Sequence, residues 1–167
     1  MTYWMLVGTP ENWEIISKNG FNLCAMKARR KNYATQVKLG DKVVFYLTKV
    51  QSFAGIAEFT STVIENHSKL FVSEKKGRRP GVASLRVRDN SASATGPEGE
   101  DYPWRFKIKP EVVLPKEKAV LAQNLKDKLE YVKKWPPAHW KLAFQGNVHI
   151  IPKEDYETVR QVLEKAR

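Results

Sequence analysis

Apolar residues at the start of the chain gather in short runs bounded by residues that favour turns. Tyr3 to Val7 is one such run, rich in β-formers, and predicts a buried strand. A helix should follow. Thr9 is placed to cap it, Pro10 suits its first position, Glu11 complements the dipole, and Trp13 and Ile16 form an apolar face that stops at Gly20. Phe21 to Met26 reads as a second strand. Gly40-Asp41 then marks a turn into the strongly β-prone run Lys42 to Leu47, and a fourth strand is expected over Phe53 to Val63.

The second half alternates differently. Positions 89–101 have no bulky apolar residue with which to join a core, and are expected to form a mobile loop. From Trp104 to Lys109 the pattern is strictly alternating: Trp104, Phe106 and Ile108 share one face, and Arg105, Lys107 and Lys109 the other. Leu121, Leu125, Leu129 and Val132 recur at helical spacing, which predicts one amphipathic helix over Lys116 to Lys134, ending before Trp135-Pro136-Pro137. Val148 to Ile151 reads as a last strand, and Pro152 opens a helix with Tyr156, Val159 and Leu163 on one face. Strands outnumber helices. The expected class is α+β: a curved, mainly antiparallel sheet curled into a barrel with flanking helices, not a doubly wound parallel sheet.

At 167 residues and 42% hydrophobic content, positions 1–167 are read as one domain with material for a core. Cys24 is the only cysteine, which excludes an internal disulfide framework and a zinc site on paired cysteines. No basic segment precedes the first apolar run, and no apolar stretch approaches the ~20 residues of a membrane span. A cytoplasmic protein without membrane contact is expected.

Charge narrows the partners. Lys and Arg number 29 against 18 Asp and Glu, a net +11 that favours a polyanion, nucleic acid first. Lys27, Arg29, Arg30 and Lys31 crowd one segment, and Lys75, Lys76, Arg78 and Arg79 flank Gly77 in another. These, with Arg105, are candidate phosphate contacts; the alternative is a pair of solvated loops.

A catalytic reading would rest on Cys24 as nucleophile with His139 or His149 as base. The bland alternative is a small buried side chain. Neither the histidines nor Cys24 have metal-ligand spacing, and no glycine-rich phosphate loop is present, so no metal or cofactor is expected. Among the five tryptophans, each a core candidate, Trp104 stands out as a stacking surface because it opens a strand beside the expected loop with Arg105 next to it.

Several segments together resemble a known family. Tyr3-Trp4 with Glu11-Asn12-Trp13, then Gly40-Asp41-Lys42-Val43-Val44-Phe45-Tyr46, then Phe53-Ala54-Gly55-Ile56-Ala57-Glu58, are similar to the EVE domain of the PUA-like superfamily and more distantly to the YTH domain. Tyr102 to Ile108 and Ile151 to Tyr156 continue the likeness in the same order. The resemblance implies a curved barrel that binds nucleic acid, DNA or RNA, with one modified base flipped into an aromatic-lined pocket, and no chemistry of its own. By position, Asn12 would hydrogen-bond the base edge with Thr9 nearby, Trp104 would be one wall, and Tyr46, Thr48 and Phe53 would lie at the floor or rim. A flipped base loses stacking and pairing, which such a site must replace. Where the family pattern places a tryptophan, this chain reads Asn22-Leu23-Cys24, so Cys24 takes the place of an indole wall. A nuclease or modification enzyme is the protein partner this implies. A general RNA or single-strand binder without a modified-base pocket, and a small thiol enzyme, are the competing readings.

Overall fold

The computed structural model describes residues 1–68 and 102–167. Lys75, Lys76, Arg78 and Arg79, and the loop expected at 89–101, lie outside the described residues. The strands are β1 (Tyr3–Gly8), β2 (Leu23–Met26), β3 (Lys42–Leu47), β4 (Ser52–Phe59), β5 (Ile64–Glu65), β6 (Trp104–Val113), β7 (Val120–Leu121) and β8 (Val148–Ile151). They form a curled sheet in the order β2-β6-β4-β3-β1-β8, with β5 added to β6 and β7 to β4. Only β1 and β3, among these pairs, run parallel. The α+β class and the mainly antiparallel curvature agree with the expectation.

The continuous apolar runs of β1 and β3 follow from burial of both sheet faces. Trp4, Leu6, Val43, Phe45 and Leu47 feed one core, while Met5, Val7, Val44 and Tyr46 feed the other. Helix α1 (Pro10–Lys18) covers the first core through Trp13 and Ile16. The C-terminal helix, Lys153–Ala166, covers the second through Tyr156, Val159 and Leu163. Among the described residues, the single-turn helices between them are α2 (Lys31–Ala34) and α3 (Glu130–Lys133), and the C-terminal helix is α4.

The long helix predicted over Lys116 to Lys134 is absent. That segment is a 3-10 turn (Lys116–Lys118), β7, a second 3-10 turn (Ala122–Asn124) and α3. Its backbone finds partners on the sheet instead: Val120 and Leu121 pair with Phe53 and Ser52, and the Ala122 N–H donates to the Gln51 carbonyl at 2.9 Å. Leu125, Leu129 and Val132 still reach the core, but from turns, and Leu121 is left exposed. The spacing recorded the burial of Leu125, Leu129 and Val132 correctly, and that of Leu121 and the helicity wrongly.

Candidate functional site

Helix α1 is anchored on the sheet chiefly by Trp13, with Ile16 beside it in the same core. The Trp13 indole crosses β4 at Gly55, where an added Cβ would stand 3.0 Å from the ring and 2.9 Å from the Val112 carbonyl. Its Nε1–H donates to the Leu114 carbonyl at 2.8 Å. With Trp13 anchored, the start of α1 is fixed beside the end of β1, and Thr9 accepts from the Asn12 N–H at 3.1 Å as the expected cap.

A cavity of about 40 Å³ opens there, between the end of β1, α1, β2 and β3. Thr9, Asn12, Cys24, Tyr46, Tyr102 and Asn147 are among its lining, with apolar walls from Leu6, Trp13, Phe45 and Leu47. The Asn12 side chain is half-buried and makes no hydrogen bond among the described residues. Tyr46 lies almost parallel to Phe144, with ring centroids 4.3 Å apart, and burial pushes its phenol up to about 12.

Asn147 closes the curl of the sheet at this end. Its Nδ2 donates to the Val7 carbonyl at 3.2 Å, its Oδ1 accepts from the Lys27 N–H at 3.0 Å, and its carbonyl accepts from the Val7 N–H at 2.8 Å. One buried amide thus ties the end of β1 to the end of β2. Gly146 allows the approach: its φ of +91° suits glycine, and a Cβ there would sit 3.2 Å from Arg30 Nη2 and 3.8 Å from His149 Nε2.

Four of the seven predicted pocket residues, Thr9, Asn12, Cys24 and Tyr46, meet in this cleft; three do not. Phe53 is fully buried in the second core against Tyr46 and Phe144, because its alternation within β4 turns it inward. Thr48 lies just past β3, its N–H donating to the Gly8 carbonyl at 2.8 Å, and is not part of the lining. Trp104 is half-buried on the basic segment: its Nε1–H donates to the Ala28 carbonyl at 2.8 Å, and the Lys31 ammonium stands 5.8 Å from its ring centroid. It is absent from the lining, whereas Tyr102, which was not singled out, is present.

The basic candidates divide as well. Lys27, Arg29, Arg30 and Lys31 form the turn that follows β2, next to the cleft wall at Cys24 and Ala25. Arg29 and Lys31 are exposed. Arg105 is buried, contrary to its expected place among the phosphate contacts. Its Nε donates to the Tyr102 carbonyl at 3.0 Å and its other nitrogens to the Ser68 hydroxyl and carbonyl, so it positions Tyr102 instead of facing solvent.

Cys24 is fully buried in β2, and burial alone pushes its thiol well above the ordinary value, away from the thiolate that nucleophilic chemistry needs. Among the described residues no hydrogen bond joins it to a histidine. His149 Nδ1 pairs with the Tyr131 hydroxyl at 2.7 Å and His139 is exposed. No group of three or more His, Cys, Asp or Glu among the described residues is arranged to hold a metal ion. Among the same residues no helix is long and apolar enough to cross a membrane.

The EVE domain family model matches residues 2–162. The chain belongs to the EVE domain family. This EVE domain is 27% identical over 173 residues to UPF0310 protein PH1033 of Pyrococcus horikoshii, covering 98% of this chain and 99% of that one. Its fold is similar to the Mmi1 YTH domain solved in complex with RNA, at TM-score 0.61 and 8% identity over 99% of this chain and 79% of that one. It is also similar to the YTH domain of Zygosaccharomyces rouxii MRB1 protein solved with N6-methyladenosine RNA, at TM-score 0.55 and 15% identity over 96% and 86%. At these identities the YTH likeness is one of fold.

Proposed function

We propose that this EVE domain is a non-catalytic nucleic-acid-binding module that receives one modified base in the cleft beside β1. The observation that carries the reading is a conjunction: an aromatic and polar cleft, with the unpaired Asn12 amide in its lining, directly abuts the basic turn Lys27 to Lys31. A base removed from its stack needs apolar faces and edge hydrogen bonds, and its backbone needs cations. Tyr102 supplies ring surface, Asn12 and Thr9 supply edge donors and acceptors, and Arg29 and Lys31 supply charge. Trp104, pinned on the same basic turn, serves the strand outside the cleft. The RNA in the two YTH complexes supports nucleic acid as the ligand class.

Cleft size sharpens the reading. A volume of about 40 Å³ admits roughly three water-sized groups, less than a nucleobase. Base entry therefore requires side chains of the lining to move. Inaccessibility of the Cys24 thiol supports the absence of thiol chemistry.

The test is a panel of oligonucleotides, each carrying one modified base, in ribose and deoxyribose forms, titrated against parent protein and Asn12→Ala. One modification should bind best, and Asn12→Ala should erase that preference while leaving the salt-dependent part of affinity in place. Equal affinity of the parent for every modified and unmodified strand would overturn the modified-base pocket. Turnover abolished by alkylating Cys24 would overturn the non-catalytic reading.

A further inference from the structure

A second cavity, of about 220 Å³, lies away from the cleft, on α3 and the irregular 3-10 segment Pro137–Phe144. Its floor is the buried Val132, and two indoles flank it: Trp140, half-buried, and Trp135, which is 37% exposed. Lys126, Lys133 and Asp127 complete the charged lining. The ammonium groups of Lys126 and Lys141 stand 5.8 and 5.9 Å from the Trp140 ring centroid, and that of Lys134 stands 5.3 Å from the Tyr131 ring. Lys133 is paired with Glu130 at 3.1 Å. Positions 126–141 carry five lysines against Asp127 and Glu130, with Asp155 of the C-terminal helix bound to the backbone of α3 as a third carboxylate, so this part of the surface carries excess positive charge.

Neither cores nor solubility account for this arrangement. A core indole is covered, whereas Trp135 is partly exposed and directly precedes Pro136 and Pro137, which begin the next segment. Lysines kept for solubility have no reason to gather over aromatic faces. Indole faces set among ammonium groups match a stacked base with its phosphates. An acidic polypeptide would satisfy the charges but leave the flat faces without a planar partner.

The groove is also tied to the cleft. Trp140 meets Phe144 edge-on at 6.1 Å, and Phe144 stacks on Tyr46, which lines the cleft. Two ring contacts therefore separate the two cavities. Resting on the nucleic-acid reading of the cleft, we propose that the Trp135–Trp140 groove is a second contact for the same single strand. It stacks an unmodified base and neutralises neighbouring phosphates with Lys126, Lys133 and Lys141.

The probes are unmodified dT16 and rU16, their four-nucleotide counterparts, and poly-glutamate of equal charge, followed by fluorescence anisotropy. The 16-mers should bind more tightly than the 4-mers. Trp135→Ala should weaken the 16-mers about tenfold, within the range for loss of one stacked base. The double variant Lys126→Ala, Lys141→Ala should flatten the log affinity against log salt slope by roughly 0.7 per lysine. Circular dichroism should be unchanged for both, since the altered side chains lie at the surface, and Trp135→Phe should recover most of the affinity. If the parent and Asn12→Ala behave as the cleft reading requires while both groove variants bind 16-mers like the parent, the groove proposal falls alone. If the parent binds no oligonucleotide at low salt, both fall. If poly-glutamate binds as tightly as dT16 and loses the same factor in Trp135→Ala, the groove is a site for acidic polypeptides and the proposal is overturned.

Discussion

The cleft holds about 40 Å³ behind a lining tied together by Asn147, Trp13 and the Thr9 cap, whereas the groove holds about 220 Å³ between an exposed indole and lysine side chains. Closure in the first comes from hydrogen bonds between side chains and the backbone, which permit few shapes. In the second, the Trp135 N–H donates to the Val132 carbonyl at 3.0 Å within one segment, but among the described residues no side-chain hydrogen bond joins Lys126, Trp135 and Trp140 across the opening. A selective site and a tolerant one are thus built from the same residue types, aromatics and cations, and differ in how many polar atoms the protein has already satisfied. That difference predicts where substitutions act on stability and where they act on binding.

The largest contrast is between two tryptophans. Trp13→Ala should cost roughly 3–5 kcal/mol in urea denaturation, as expected for deleting a buried large aromatic, and should abolish the cleft with it. Trp135→Ala should stay within about 0.5 kcal/mol of the parent. Equal losses would show that the groove is core and end the comparison.

Asp155 comes next. Buried on α4, its carboxylate accepts the Glu130 and Tyr131 N–H groups at 2.7 and 2.8 Å, capping α3 from another helix. Asp155→Ala leaves those donors without a partner and should cost roughly 1–3 kcal/mol. Because α3 carries Val132, binding of unmodified dT16 should weaken while the ranking of modified bases is kept.

Cys24 offers a subtler test of how closed the cleft wall is. Iodoacetamide should label it only at the rate of unfolding, measured by mass spectrometry alongside hydrogen exchange, since the thiol is both covered and raised. Labelling much faster than unfolding would mean that the wall at β2 opens in the folded protein.

The smallest effect concerns His149, whose ring faces Tyr131 and Arg30 near Gly146. Burial, partly offset by a hydrogen bond to the Gln145 backbone and reinforced by the Arg30 guanidinium, lowers its affinity for a proton. The unfolded chain therefore takes up that proton first as pH falls. The contribution is complete above about pH 6.5, the ordinary histidine value, and is lost as pH drops through that value towards the lower folded one. His149→Gln should flatten this part of the stability profile, read by denaturation at successive pH values.

Much of the sheet was legible because β1 and β3 carry their own evidence, apolar runs bounded by turn residues whose burial on both faces leaves little choice of conformation, and β8 is a short β-prone run even though Ile150 is exposed. Thr9 and Pro10 marked the start of α1 for equally local reasons. The segment at 116–134 was not legible, since its conformation is decided by pairing with Ser52 and Phe53, far away in sequence. In the site, Thr9, Asn12, Cys24 and Tyr46 converge because β1, α1, β2 and β3 were placed in the right order. Alternation assigned Trp104 to a face but could not reveal that the Ala28 carbonyl would take its N–H. Asn147 escaped notice although Gly146-Asn147, directly before an apolar strand, is a turn signal. Nothing local distinguishes Tyr102, whose place depends on Arg105 gripping its carbonyl.

The parallel pairing of β1 with β3 has a consequence for how the chain is made. One edge of β1 waits for Lys42–Leu47, and the other for Val148–Ile151. During synthesis the apolar strand Trp4 to Val7 is therefore complete long before its second neighbour leaves the ribosome. Throughout that interval its unpaired N–H and C=O groups are a template for any other nascent chain. Fragments that stop short of residue 148 should accordingly aggregate in the cell, because Val148–Ile151 is the segment that covers the second edge of β1.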